Sequence, residues 1–419
     1  MFDRKVAPPF VESTAFDLLT PHTETLANGI EVFFVSGGSQ EVIKITLIFP
    51  AGRWFEDVWG TAHFSSNLLS KGTRQKNSFE IAQVLDRFGA HLEVNPGLDF
   101  VSISLYALTR YLQPALAILD EIIQQPVFPE KELEQAKTIY QQNLKVNLEK
   151  TSFLASKLFR KSLFGENHPY GKELEEKEVG GLTQKDIINH YKTFFSAPSV
   201  FVAGKIESNT ASLILSTLDS WAGQKNPERK ITHQQPPPLR QYTEKEDSVQ
   251  SSIRMGCRSL LRSHPDYAAA TFVSHILGGY FGSRLMKNIR EEKGLTYGIH
   301  ASLHPLKHDG YLVIGADVNK ENVEITFEEI RKELRRLRSE TITHEELVTA
   351  RNHFIGSLQS EITNPFAHAD KLKTIYLYGL PSTYYQQMIQ TVKNMNGDRI
   401  IEISEQYFHE SNLFEIAVG

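Results

Sequence analysis

The chain has 419 residues, of which 40% are hydrophobic and 23% charged, with a formal net charge of −5. That balance suits a soluble globular protein of two or more domains, and charges free of long single-sign blocks exclude a nucleic-acid footprint or a polybasic membrane patch. No run approaches the roughly 18 to 20 apolar residues of a membrane span, and the start, Met1 to Phe10, lacks an apolar stretch of signal-peptide length, so a cytoplasmic protein is expected, or a periplasmic one if an export signal has been trimmed.

In chain order, Ile30 to Val35, Glu41 to Phe49 and Phe100 to Tyr106 have the β-branched, aromatic and alternating character of strands. Gly60 to Thr73 reads Gly-Thr-Ala-His-Phe-Ser-Ser-Asn-Leu-Leu-Ser-Lys-Gly-Thr, a helix-compatible run with His63 near its start. Helical apolar spacing recurs over Tyr111 to Gln125 and Glu130 to Glu149, and later over Lys320 to Arg338 and Thr343 to Glu361. Gln224 to Arg240 combines proline with polar residues and has no apolar period, which reads as a linker. The single cysteine, Cys257, lies in a strand-like run, so no intramolecular disulfide is possible and a buried small apolar role is expected.

The two sides of the linker repeat. Lys131 to Lys137 matches His344 to Arg351 with Leu133 laid on Leu347, an offset of 214 that also places Lys157-Leu158 on Lys371-Leu372. An offset of 208 lays Ala62 to Leu69 on Ala270 to Leu277, and Phe201 to Gly204 resembles Ile416 to Gly419. Half-chain self-similarity of this kind indicates duplication of one domain. The expected class is α+β: two duplicated domains, 1–223 and 241–419 with a linker at 224–240, each a mostly antiparallel sheet packed with helices.

His63-Phe64-Ser65-Ser66-Asn67 is laid out like the inverted zinc motif H-x-x-E-H, in which two histidines on one helical face bind zinc and the glutamate activates the metal-bound water. One histidine remains; Ser66 stands at the glutamate position and Asn67 at the second histidine. The segment resembles the zinc-site helix of the pitrilysin/insulinase-type (M16, mitochondrial-processing-peptidase-like) family. That resemblance places the third ligand, a glutamate on a later helix, at Asn143. Zinc prefers imidazole, thiolate or carboxylate, so the set His63, Ser66, Asn67 and Asn143 implies no metal in this chain. His63 reads most simply as a hydrogen-bonded histidine on a partly buried helix face. A Ser65 or Ser66 nucleophile would need His63 oriented by a third group. The other histidines, His275 included, show no paired metal spacing.

Leu277 to Tyr297 is the strongest intact motif: Leu-Gly-Gly-Tyr-Phe-Gly-Ser-Arg-Leu-Met-Lys-Asn-Ile-Arg-Glu-Glu-Lys-Gly-Leu-Thr-Tyr. It resembles the same family's glycine-rich turn, helix and strand, ending in an Arg and Tyr seven positions apart, here Arg290 and Tyr297. The resemblance implies that this pair binds the substrate carbonyl and steadies a developing oxyanion. A cation and a phenol donor preorganised where negative charge develops suit that task. Gly278, Gly279 and Gly282 are candidates for peptide contact, or else turn glycines supplying unusual backbone angles. Gly89 to Asn95 resembles the edge strand to which family substrates add a strand.

Bacterial members of the family often divide labour between one chain with the zinc motif and one with the Arg/Tyr pair, and this chain looks like the second kind. The expected function is a catalytically incomplete subunit of a heterodimeric zinc peptidase, enclosing a peptide chamber and lending Arg290 and Tyr297 to a zinc-bearing paralogue. A homodimer is the other arrangement considered. Competing readings are a non-catalytic structural or peptide-binding scaffold of the same fold, and an autonomous metallopeptidase with rearranged ligands.

Overall fold

A computed structural model describes residues 16–223, 227, 229–231 and 236–419. Much of the expected linker at 224–240, and the first 15 residues of the first expected domain with its start, therefore lie outside the described residues.

The first half opens with β1 (His22–Thr25), β2 (Glu31–Ser36) and β3 (Val42–Phe49). Helices α1 (Thr61–Leu68) and α2 (Ser78–Arg87) follow, the latter started by an Asn77/Glu80 capping box that satisfies two free backbone donors. The hairpin β4 (His91–Pro96) and β5 (Val101–Leu108) leads into α3 (Leu112–Gln124), α4 (Glu130–Leu148) and α5 (Thr151–Phe164). The half closes with α6 (Glu176–Gly181), α7 (Gln184–Phe194), β6 (Ser199–Gly204) and α8 (Ser208–Asp219).

The second half runs β7 (Arg240–Thr243), β8 (Gln250–Arg258), α9 (Tyr267–Gly278), β9 (Thr296–Pro305) and β10 (Gly310–Asn319). Then come α10 (Val323–Ser339), α11 (His344–Ser360), α12 (Pro365–Leu377), α13 (Tyr384–Asn394), α14 (Gly397–Tyr407) and β11 (Phe414–Val418). Helix α12 begins at an Asn364 cap with Pro365 in its first turn, where a missing N–H costs nothing.

The strands form two sheets in the orders β1-β2-β6-β3-β5-β4 and β7-β11-β8-β10-β9. Apart from the extra edge strand β1 the two orders correspond one for one. In each sheet a single parallel pair (β2 with β6, β7 with β11) accompanies otherwise antiparallel neighbours. The repeated sequence offsets thus correspond to repeated topology, and the fold is the expected α+β duplication.

The halves are tied together by an exchange. Helix α5 of the first half packs on β8 and β11 of the second sheet, burying Ala155, Phe159, Leu163 and Phe164 against Val313, Phe414, Ile416 and Val418. Helix α12 of the second half reciprocates on β2 and β6, where Ala369 meets Val35 and Ala203. This covers both faces of the central strands, which is why β3 reads Val-Ile-Lys-Ile-Thr-Leu-Ile-Phe with little polar alternation and is buried along nearly its whole length. Polar contacts repeat too: Lys44 of β3 donates to Asp370 of α12 (3.1 Å), and Arg254 of β8 donates to Ser156 of α5 (3.1 Å). Asp370 and Ser156 are 214 residues apart, the offset read from the sequence. Cys257 is buried on β8, with its thiol pushed up to about 12 by desolvation.

Candidate functional site: a cleft without its metal ligands

Helix α1 begins at Gly60, whose φ of 96° favours glycine and whose missing Cβ leaves room for Leu174 and Leu182. No cap side chain comes from Gly60. Glu56 replaces it, accepting the Ala62 N–H at 2.7 Å, and burial raises its carboxyl above the usual range. Negative charge at this end of the helix also complements its dipole.

One turn on, His63, Asn67 and Asn143 line one open cleft of about 400 Å³, walled by Ile139, Leu144 and Phe153. Three of the four positions matched to zinc-site residues therefore come together, on α1 and α4. Ser66 does not join them. Its hydroxyl is fully buried and donates to the Ala62 carbonyl at 2.6 Å, while Ser65 is equally buried and donates to the same carbonyl at 3.4 Å. Neither hydroxyl faces His63, which removes the serine-nucleophile reading.

The His63 imidazole lies beside the Asn67 amide nitrogen (3.3 Å), and that amide also donates to the His63 carbonyl at 2.9 Å. Tyr140 packs edge-on against the imidazole, with ring centroids 5.2 Å apart. Desolvation first, and the Arg53 guanidinium second, push His63 down to about 4. A neutral imidazole could ligate a metal, but two amides complete the set poorly and a guanidinium beside it opposes a divalent cation. Among the described residues no group of three or more His, Cys, Asp or Glu side chains could hold a metal ion. The side chains present do not fit zinc.

Arg53 and His63 also line a smaller pocket of about 50 Å³, together with Tyr140 and Lys172. Sequence reasoning missed Arg53, because its turn, Arg53–Phe55, lies ten residues ahead of His63 and carries no motif spacing.

The second half repeats the two helices in altered form, as α9 and α11 packed together. His275, the counterpart of Asn67, pairs through space with His353 of α11, nitrogen to nitrogen at 3.2 Å, and stacks on Tyr280. Burial, and then the neighbouring imidazole, push His275 down to about 4. The pairing spans 78 positions and was invisible to sequence spacing.

Arg290 and Tyr297 lie elsewhere, on the far edge of the second sheet. Arg290 belongs to a π-helical segment, Met286–Glu292, a winding often found at functional sites. Its guanidinium carbon is 4.5 Å from the Phe281 ring centroid and 5.3 Å from that of Tyr297. Tyr297 is 92% exposed and Phe281 61%. The β9/β10 register shifts between Ala316 and Val318, so Tyr297 and Gly298 together oppose Asp317. Such a bulge bends an edge strand and re-aims its side chains, which accounts for a tyrosine held out in solvent.

The glycines require a correction. None of Gly278, Gly279 and Gly282 has a positive φ. Close approach is the reason for glycine at the first two: a Cβ on Gly278 would come within 2.6 Å of the Ala301 nitrogen of β9, and one on Gly279 within 2.5 Å of His275. At Gly282 it would meet the Tyr280 ring at 2.9 Å. The Gly89 to Asn95 segment supplies β4, which is the outer edge of the first sheet.

A duplicated α+β fold that keeps only His63 among its zinc-motif positions defines an M16-type peptidase homologue. The profile described as insulinase (peptidase family M16) matches residues 32–174, and that described as peptidase M16 inactive domain matches residues 181–354. The chain belongs to the M16 peptidase family. It is 23% identical over 392 residues to the uncharacterized zinc protease YmxG of Bacillus subtilis, covering 92% of this chain and 95% of that one. To the non-peptidase homolog YmxG of Helicobacter pylori it is 26% identical over 377 residues, covering 84% and 83%. Among solved structures, the peptidase M16 inactive domain from Pseudomonas fluorescens superposes with a TM-score of 0.88 at 23% identity, covering 96% of this chain and 98% of that one. A protease from Helicobacter pylori gives 0.86 at 18% identity, covering 96% and 100%. These likenesses establish the fold. No helix among the described residues is long and apolar enough to cross a membrane.

Proposed function

We propose that this chain is the non-zinc subunit of a two-chain M16 peptidase, enclosing peptides with a zinc-bearing paralogue and lending Arg290 and Tyr297 to its partner's site. The observation that carries the reading is the exposed Phe281–Arg290–Tyr297 stack. A cation packed against two rings beside a bulged edge strand is restrained in orientation while its phenol neighbour on the strand faces outward, and preorganised donors of this kind act on charge that develops outside the chain. The chain's own cleft offers His63 with two amides, so the metal-activated water belongs to the partner.

The test is co-expression with a paralogue that carries H-x-x-E-H. Stable association with peptide cleavage that neither chain shows alone supports the proposal. Association without cleavage supports the scaffold reading, which the exposed edge β4 favours as a peptide-pairing surface. Stoichiometric zinc on the purified chain would support the autonomous-peptidase reading instead.

A further inference from the structure

We propose that the two pockets that meet at His63 and Tyr140 bind the free C-terminal end of a peptide, its carboxylate anchored by Arg53 in the smaller and its last side chain lodged in the larger against Ile139, Leu144 and Phe153. The inference concerns this chain's own cleft and holds whether or not a partner is present.

Arg53 shares the small pocket with the Glu56 carboxyl, whose charge it favours, without forming an ion pair with it. The one hydrogen bond of its guanidinium among the described residues runs from a terminal nitrogen to the Lys172 carbonyl at 2.5 Å, and no described carboxylate forms an ion pair with it. Charged groups around it are already engaged. Glu56 accepts from the backbone at the start of α1, Lys172 pairs with Glu178 at 2.6 Å, and Glu173 pairs with Arg160 at 2.6 Å. A guanidinium presents a planar fork of donors that matches a carboxylate two bonds at a time.

Two further side chains beside the pockets have no described hydrogen-bond partner. The Tyr140 hydroxyl and the Asn143 amide make no hydrogen bond among the described residues, and Tyr140 lines both the small pocket with Arg53 and the larger cleft with Asn143. The larger cleft is apolar where the smaller is polar, so a terminal carboxylate and an apolar terminal side chain find separate walls on either side of His63 and Tyr140. The cleft therefore exchanges a dication for a monocation and inverts what it selects: an anion, where a metal site holds a metal.

The experiment measures binding of a dye-labelled pentapeptide ending in Ala-Leu to the full chain by fluorescence anisotropy, as the free acid and as the C-terminal amide. The free acid is expected to bind at least about tenfold tighter than the amide, the low end of the worth of one charge-assisted hydrogen bond. Arg53→Met should remove most of that difference, weakening the free acid far more than the amide. Tyr140→Phe, which keeps the ring packed on His63, should reduce it about threefold, and this variant decides the matter if Arg53→Met fails to fold. Equal binding of acid and amide would overturn the proposal, as would an unchanged preference in Arg53→Met and Tyr140→Phe. Inorganic phosphate displacing the peptide as well as N-acetylleucine does would overturn it too, by showing a bare anion site.

Discussion

The Arg290 guanidinium carbon lies 5.3 Å from the centroid of the Tyr297 ring and 4.5 Å from that of Phe281, on a strand edge whose β-bulge turns Tyr297 into solvent. Phe281 packs against the arginine and restrains its orientation. Phe281→Ala should lower cleavage by the assembled two-chain enzyme about three- to fivefold, the worth of an exposed cation–π contact of about 0.5–1 kcal/mol. The loss should fall on kcat with KM little changed, because orientation is lost while the charge remains. Steady-state kinetics on the complex measures this.

The exchanged helices predict one cooperative unit. Phe159 of α5 is 2% exposed and packs into the second sheet's cluster. Phe159→Ala should destabilise the whole chain by about 3–5 kcal/mol. Urea unfolding followed by near-ultraviolet dichroism and by tryptophan fluorescence should give coincident transitions, although the three tryptophans, Trp54, Trp59 and Trp221, all lie in the first half. Two separated transitions would show that the halves fold independently.

Arg53 predicts an asymmetry in rebuilding the metal site. Asn67→His with Asn143→Glu supplies two imidazoles and a carboxylate on the walls of one cleft. Zinc binding by that double variant should be weak, and adding Arg53→Ser should tighten it by at least about tenfold, or about 1.4 kcal/mol, through removal of a like charge. Zinc titration against a chromogenic chelator checks the order of affinities.

Three desolvated imidazoles, one buried and two partly buried, set a pH dependence. His63, His190 and His275 are each lowered from 6.5 to about 4, chiefly by desolvation. Between those values the unfolded chain binds protons that the folded chain refuses, so these groups make stability fall as pH falls from 6.5 towards 4. Glu56 and Asp99, raised by burial, act in the opposite sense, contributing stability at low pH that is lost as pH rises through their folded values. His190 bonds the Ala51 carbonyl at 2.9 Å. His190→Gln should lower stability at pH 7 and flatten the fall between pH 6.5 and 4 in urea titrations.

Much of this was legible in the sequence for identifiable reasons. The span Glu130 to Glu149 carries its helix in its own apolar period and appears as Glu130–Leu148. The offset of 214 predicted repeated domains, and it also relates the two exchanged helices, yet nothing in it says that each helix crosses to the other sheet. That crossing depends on contacts between residues more than a hundred positions apart, such as Thr151 with Ser252. Asn143 was placed by family spacing and lies in the cleft with His63 and Asn67. Arg53, Phe281 and the His275–His353 pair were illegible because each acquires its meaning from a neighbour on another element. At Gly278 and Gly279 the unusual backbone angles expected of turn glycines are absent: Gly278 is constrained by β9 and Gly279 by His275 one turn back on its own helix.

The most direct measurement of the central claim is peptide cleavage by the purified pair, this chain with its zinc-bearing paralogue, comparing the parent with Arg290→Met and Tyr297→Phe. Each substitution should lower kcat about a hundredfold, the worth of one lost oxyanion donor at about 2.7 kcal/mol, while zinc content and subunit association stay unchanged. Full activity in both variants would contradict the claim that this chain completes its partner's site.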